Sequence, residues 1–202
     1  MPIELRHLTK AYGEKVLFSD LSYPFPQHGL IALCGPSGSG KTTLLRILAG
    51  LETADGGEVL GLAGRSLSVA FQQPRLLPRQ SAFSNVLAVL QGKEAAPLCQ
   101  SRAREMLECF FAEQLAQKRT EALSGGEQQR VSLARAFAVQ SEIVLLDEPT
   151  ANMDAELAEA VTEKICAFAR QRLILLASHN PRQLERADGS IVLGRDTTPI
   201  TG

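Results

Sequence analysis

The run with the most evident chemistry is GPSGSGKTT, residues 35–43. It matches G-x-x-x-x-G-K-[ST]. The short apolar run LIALC (residues 30–34) precedes it, and TLLRILAGL (residues 43–51), which reads as a helix ending near Gly50, follows. A strand before and a helix after are the context that makes such a run a phosphate loop rather than a solvated Gly/Ser turn. Glycines let backbone N–H groups wrap phosphate oxygens, and the helix start adds its dipole. Gly35, Pro36, Ser37, Gly38, Ser39 and Gly40 would form the cradle. Lys41 would reach the β- and γ-phosphates, Thr42 would offer its hydroxyl to Mg²⁺, and Thr43 would touch the α-phosphate.

A second centre is IVLLDEPT, residues 143–150, a fully apolar strand ending in two carboxylates. Side chains alternate along a strand, so Asp147 and Glu148 should face different ways. Pro149 biases Glu148 towards extended backbone, so the strand is expected to persist through it. Asp147 would then hold Mg²⁺, directly or through water, and Glu148 would orient or deprotonate the attacking water.

A third is LSGGEQQRVSLARA, residues 123–136. Two glycines open an otherwise good helix, at about 1 kcal/mol each relative to alanine. Ser124 and Glu127 have capping-box spacing, which puts the helix start at those glycines. Ser124, Gly125 and Gly126 would thus present bare backbone donors, a second anion site. A flexible hinge explains one glycine but not the pairing with a capped start.

Positioning these groups takes an α/β domain. Residues 30–34, 143–147 and 173–178 are apolar runs suited to strands buried on both faces, and they alternate with helical stretches such as 155–170. The reading is a P-loop core with a mainly parallel sheet, completed by strands at 58–62, 66–71 and 190–194. Residues 3–8 and 16–25 alternate at period two and read as an antiparallel N-terminal subdomain, with Tyr12-Gly13 as a turn. Residues 82–118 look helical, clearest at 101–111, so about 82–135 would form an inserted helical subdomain within one domain, 1–202. The last residues, RDTTPITG, are expected to be poorly ordered.

Bulk properties narrow the classes. Of 202 residues, 45% are hydrophobic and 21% charged, ordinary for a globular chain with a sizeable core. The net charge of −1 argues against a nucleic-acid surface. No run approaches the roughly 20 apolar residues of a membrane span, and the N-terminus lacks a signal-peptide core, so a cytoplasmic location is expected. The 4 cysteines have no metal-type spacing and read as reduced thiols.

In this order, GPSGSGKTT, LSGGEQQR and LLDEPT resemble the ATP-binding subunit of an ABC transporter over essentially the whole chain, LSGGEQQR being the discriminating element. The resemblance implies the ABC ATPase fold and further residues. Gln72, in VAFQQP, matches the glutamine that contacts Mg²⁺ and the attacking water; His179, in LLASHNP, matches the switch histidine on the γ-phosphate. Tyr12 matches the aromatic that stacks on adenine, and Asp154 the loop that crosses towards a partner.

It also implies that two chains pack head to tail, each ATP lying between one phosphate loop and the other chain's Ser124, Gly125 and Gly126. The implied partners are integral-membrane permease subunits and a second ATPase subunit, on the inner face of the cell membrane. Residues 70–78 resemble the loop of subunits serving nitrate, sulfonate or taurine importers, while Asn180 and Met153 stand where aspartate and leucine are commoner. From the short stretch after His179, no regulatory C-terminal domain is expected. A soluble ABC-type switch without a permease is the alternative; one cassette, no heptad run and no basic surplus count against it.

Overall fold

A computed structural model describes residues 2–92 and 95–194. The chain opens with an antiparallel pair, β1 (Glu4–Tyr12) and β2 (Lys15–Pro24). It then enters the core as β3 (Gly29–Cys34) and turns into α1 (Lys41–Leu48). β4 (Gly56–Leu60) returns to pair with β1, so the small sheet has the order β2-β1-β4. β5 (Leu67–Ala70) leads to the helices α2 (Ala82–Leu87), α3 (Ala96–Cys109) and α4 (Gly125–Ala138). The core resumes with β6 (Ile143–Asp147), α5 (Ala155–Ala169), β7 (Leu173–Ala177), α6 (Pro181–Glu185) and β8 (Gly189–Val192). The large sheet is parallel, in the order β5-β6-β7-β3-β8.

Every residue of β6 and β7 is buried, which is why their sequences run apolar without alternation. Parity divides their side chains. Val144, Leu146, Ile174 and Leu176 pack into a core shared with α2 to α5. Ile143, Leu145, Leu173 and Leu175 pack into a second core with α1 and the N-terminal strands. The sheet is the wall between the two cores, and its carboxyl ends form the rim where a ligand site belongs in such a topology.

Departures from expectation are local. The N-terminal strands pair out to Tyr12↔Lys15, beyond the expected 3–8, so Tyr12 ends β1 instead of lying in the turn. Register shifts and the positive φ of His7 (50°) break the period-two pattern there and hide the extension. The helical stretch 82–118 is broken into α2, α3 and a short 3₁₀ turn at Glu113–Leu115, with Pro97 in the first turn of α3, where proline is tolerated. Residues 93–94 of that stretch and the tail 195–202 lie outside the described residues.

Candidate active site

A cleft of about 620 Å³ opens at the carboxyl rim, between the N-terminal sheet and the ends of β3, β6 and β7. It is lined by Tyr12, Ser37, Gly38, Gly40, Lys41, Thr42, Thr43, Gln72, Asp147, Glu148 and His179, together with Lys15, Leu17 and Ala151. Residues scattered over more than 160 positions of sequence therefore share one wall.

The loop after β3 delivers the donors. Gly40 caps α1 with φ 103°, a conformation that side-chain-bearing residues rarely adopt, and no side chain caps the helix. Among the described residues, no side chain accepts from the first-turn N–H groups of α1, as an anion site requires. Lys41 is 7% exposed; its Nζ donates to the carbonyls of Gly35 (2.7 Å) and Pro36 (3.1 Å) and lies 3.3 Å from His179 Nε2.

Strand parity delivers the acids. Asp147 shares its parity with Ile143 and Leu145, so it faces α1, and there Thr42 Oγ1 donates to its Oδ2 at 2.8 Å. Burial pushes the Asp147 carboxyl up, opposed by the Thr42 hydrogen bond and by Arg46 and Lys41. Burial likewise lifts Glu148, opposed chiefly by His179. His179 Nε2 lies 3.5 Å from Glu148 Oε1, which is buried and has no hydrogen-bond partner among the described residues. Strand order explains the row: β7 lies between β6 and β3, so His179, after β7, stands between Glu148 and Lys41.

Glu148 corrects one expectation. The strand ends at Asp147, and Glu148 takes φ 50° despite the following proline. Its N–H still bonds Ala177 O at 2.8 Å, but β7 ends there, and a turn closes with Ala151 N–H on Glu148 O at 3.1 Å. The ladder ends with its partner, and the turn outweighs the local bias of Pro149.

Thr42, Asp147 and Gln72 supply hydroxyl, carboxylate and amide oxygens to one wall, the hard donor set that suits Mg²⁺ held mainly by substrate phosphates and water. Among the described residues, no cluster of three or more His, Cys, Asp or Glu forms a self-sufficient metal site, so phosphate oxygens would complete the shell.

The family model described as ABC transporter matches residues 18–151. A sulfate/thiosulfate import ATP-binding protein, CysA of Xanthomonas campestris pv. campestris, is 36% identical over 96% of this chain and 62% of its own length. The aliphatic sulfonates import ATP-binding protein SsuB 3 of Rhodococcus jostii is 37% identical over 96% of this chain and 71% of its own.

This chain belongs to the ABC transporter family.

A dimeric ATP-binding cassette in a post-hydrolysis state, bound to ADP and Pi, superposes with a TM-score of 0.88 at 26% identity, over 99% of both chains. The chain spans only 49–62% of the length of four CysA-type sulfate/thiosulfate import relatives.

Within the cassette, Ser124, Gly125, Gly126 and Asp154 lie outside the cleft. The capping box is complete: Glu127 N–H donates to Ser124 Oγ (3.3 Å) and Ser124 N–H to Glu127 Oε2 (2.8 Å). Asp154 caps α5, accepting from Leu157 N–H at 2.9 Å. Asn180 caps α6 through Arg182 N–H at 3.1 Å; asparagine and aspartate cap about equally, which makes this departure from the family pattern harmless. Tyr12 is half exposed, its hydroxyl donating to Glu52 and one ring face carrying Lys10 Nζ at 5.1 Å. Gly35, Pro36 and Ser39 are not among the residues that line the cleft; Pro36 is exposed, and Ser39 Oγ is buried without a hydrogen-bond partner among the described residues.

Sequence reasoning missed Lys15, three residues beyond Tyr12, whose Nζ reaches the loop beside Gly38. Nothing along the chain links Lys15 to Gly38, 23 residues away, so only the fold brings them together.

Proposed function

We propose that this chain is the ATP-binding and ATP-hydrolysing subunit of an ABC-type importer, a single ATPase domain acting as a head-to-tail pair on integral-membrane permease subunits. The observation that carries it is the split arrangement. One cleft gathers Lys41, Thr42, Asp147, Glu148, Gln72 and His179, while the second bare helix start, at Ser124 and Gly125, lies outside that cleft and so is free to serve a second chain's nucleotide. The importer reading is supported by relatives that carry the names of sulfate, sulfonate and iron import ATP-binding proteins. Among the described residues no helix is long and apolar enough to cross a membrane, in keeping with peripheral attachment at the cytoplasmic face through a permease. The N-terminal sheet and the helices of about 82–135 are its two attached subdomains.

In this reading the start of α1 and Lys41 hold the β- and γ-phosphates, Thr43 meets the α-phosphate, and Tyr12 offers its open ring face to adenine. Thr42, Asp147 and Gln72 would hold Mg²⁺, which when bound supplies charge neutralisation on the β- and γ-oxygens. Glu148, with its unpartnered Oε1, orients the attacking water and accepts its proton. His179 contacts the γ-phosphate from between Glu148 and Lys41. Asp154, at the start of α5, faces the second chain.

The test is Glu148→Gln. Hydrolysis is expected to fall at least about a hundredfold, the scale of a lost general base. ATP with Mg²⁺ should then trap a dimer by light scattering. A variant that remains monomeric with ATP and Mg²⁺ would sink the paired arrangement.

A further inference from the structure

Gln72 lines the nucleotide cleft, yet it sits in a segment with little backbone support. Among the described residues, no backbone–backbone hydrogen bond reaches residues 72–76, and the segment belongs to no helix or strand. Two of its carbonyls, and that of Phe71 just before it, are taken up instead by side chains of one helix, α4. Arg135 donates from Nη2 to Pro74 O at 2.9 Å and from Nη1 to Arg75 O at 3.0 Å. Ser132 Oγ reaches the same Pro74 carbonyl, and Gln129 Nε2 reaches Phe71 O, both at 3.5 Å.

Gln129 and Ser132 are 2% and 1% exposed, so their polar ends have no water to turn to. The segment itself is bent: Arg75 has φ 44°, and its guanidinium lies 5.0 Å over the Phe71 ring. A guanidinium fork across two consecutive carbonyls fixes both position and orientation, which a single ammonium cannot do.

We propose that Arg135 is a positioning residue for Gln72: its fork on the carbonyls of Pro74 and Arg75 holds the loop so that the Gln72 amide points into the cleft. The role rests on the reading of Gln72 as a contact to the metal and attacking water. Gln129 and Ser132 set the floor of the loop, and Arg135 sets its turn. The same helix begins at Ser124, so one rigid element carries both the bare helix start and the clamp on the cleft's own glutamine.

The experiment compares Arg135→Ala and Arg135→Lys in the full chain, alone and with Gln72→Ala. Arg135→Ala should lower kcat roughly ten- to hundredfold, as for a misplaced group, with KM for ATP changed by less than about twofold. Arg135→Lys, which can still reach one carbonyl, should recover part of the loss. With Gln72→Ala already present, Arg135→Ala should cost less than about twofold, because the group it positions is gone. Backbone amide order parameters at residues 72, 73, 75 and 76 should fall in Arg135→Ala while those of α4 stay high. Equal losses in both backgrounds, or unchanged order in the loop, would overturn the proposal. If the wild-type chain hydrolyses no ATP, the functional reading fails, and the order parameters still decide whether Arg135 holds the loop.

Discussion

At residue scale, the two glycines at the start of α4 turn out to be unlike each other. A Cβ on Gly126 would lie 2.5 Å from the backbone carbonyl of Asn152, an approach no rotamer can relieve. A Cβ on Gly125 would meet only the Asn152 side chain, at 3.5 Å, an ordinary contact. Packing therefore demands Gly126, while nothing in the fold of this chain demands Gly125, which is exposed beside Ser124. Gly126→Ala should destabilise by about 1–3 kcal/mol, the range for forced overpacking. Gly125→Ala should be neutral or up to about 1 kcal/mol stabilising, because alanine is the better helix former, yet should still impair hydrolysis. Urea denaturation of both variants, paired with an ATPase assay, checks the contrast; equal destabilisation would show that both glycines serve packing alone.

At element scale, the two helices that present bare starts are finished differently. α1 has no side-chain cap, whereas α4 has a reciprocal one. The backbone and side-chain hydrogen bonds from Ser124 hold the Glu127 carboxyl below its ordinary 4.5. A carboxyl lowered in the folded state adds stability above its unfolded value, and that increment is lost as pH falls through the lower folded value. The stability advantage of wild type over Glu127→Gln should therefore be full near neutrality and shrink as pH drops below about 4.5. Urea midpoints of the two proteins across that range measure it; a difference that is constant with pH would mean the charge of Glu127 is not what caps α4.

At the scale of the whole molecule, the cleft and the start of α4 belong to one chain but are proposed to serve different nucleotides. Lys41→Ala and Ser124→Arg should each abolish hydrolysis when alone. Mixed one to one, half of the dimers would pair an intact phosphate loop from one chain with an intact Ser124 from the other. Activity should return to about a quarter of wild type at most if sites act independently, as a two-fold head-to-tail pairing requires. No recovery on mixing, with mixed dimers shown to form, would place both lesions in a single-chain site. ATP binding to monomeric Ser124→Arg should remain near wild type by equilibrium titration.

The sequence by itself determined the pieces that depend on local physics. The phosphate loop followed from glycine spacing between strand and helix, and the start of α4 from the Ser124 and Glu127 pairing. The buried strands followed from continuous apolar runs. What only the tertiary structure decided was adjacency. Sheet order put His179 between Lys41 and Glu148; β7 ending at Ala177 turned Glu148 out of its strand; the Asn152 carbonyl gave Gly126 its reason; and Arg135 came to rest on the loop of Gln72. Each depends on what lies across space rather than along the chain. Local preferences carry no record of those neighbours, because a contact between distant segments is fixed only when the whole chain packs.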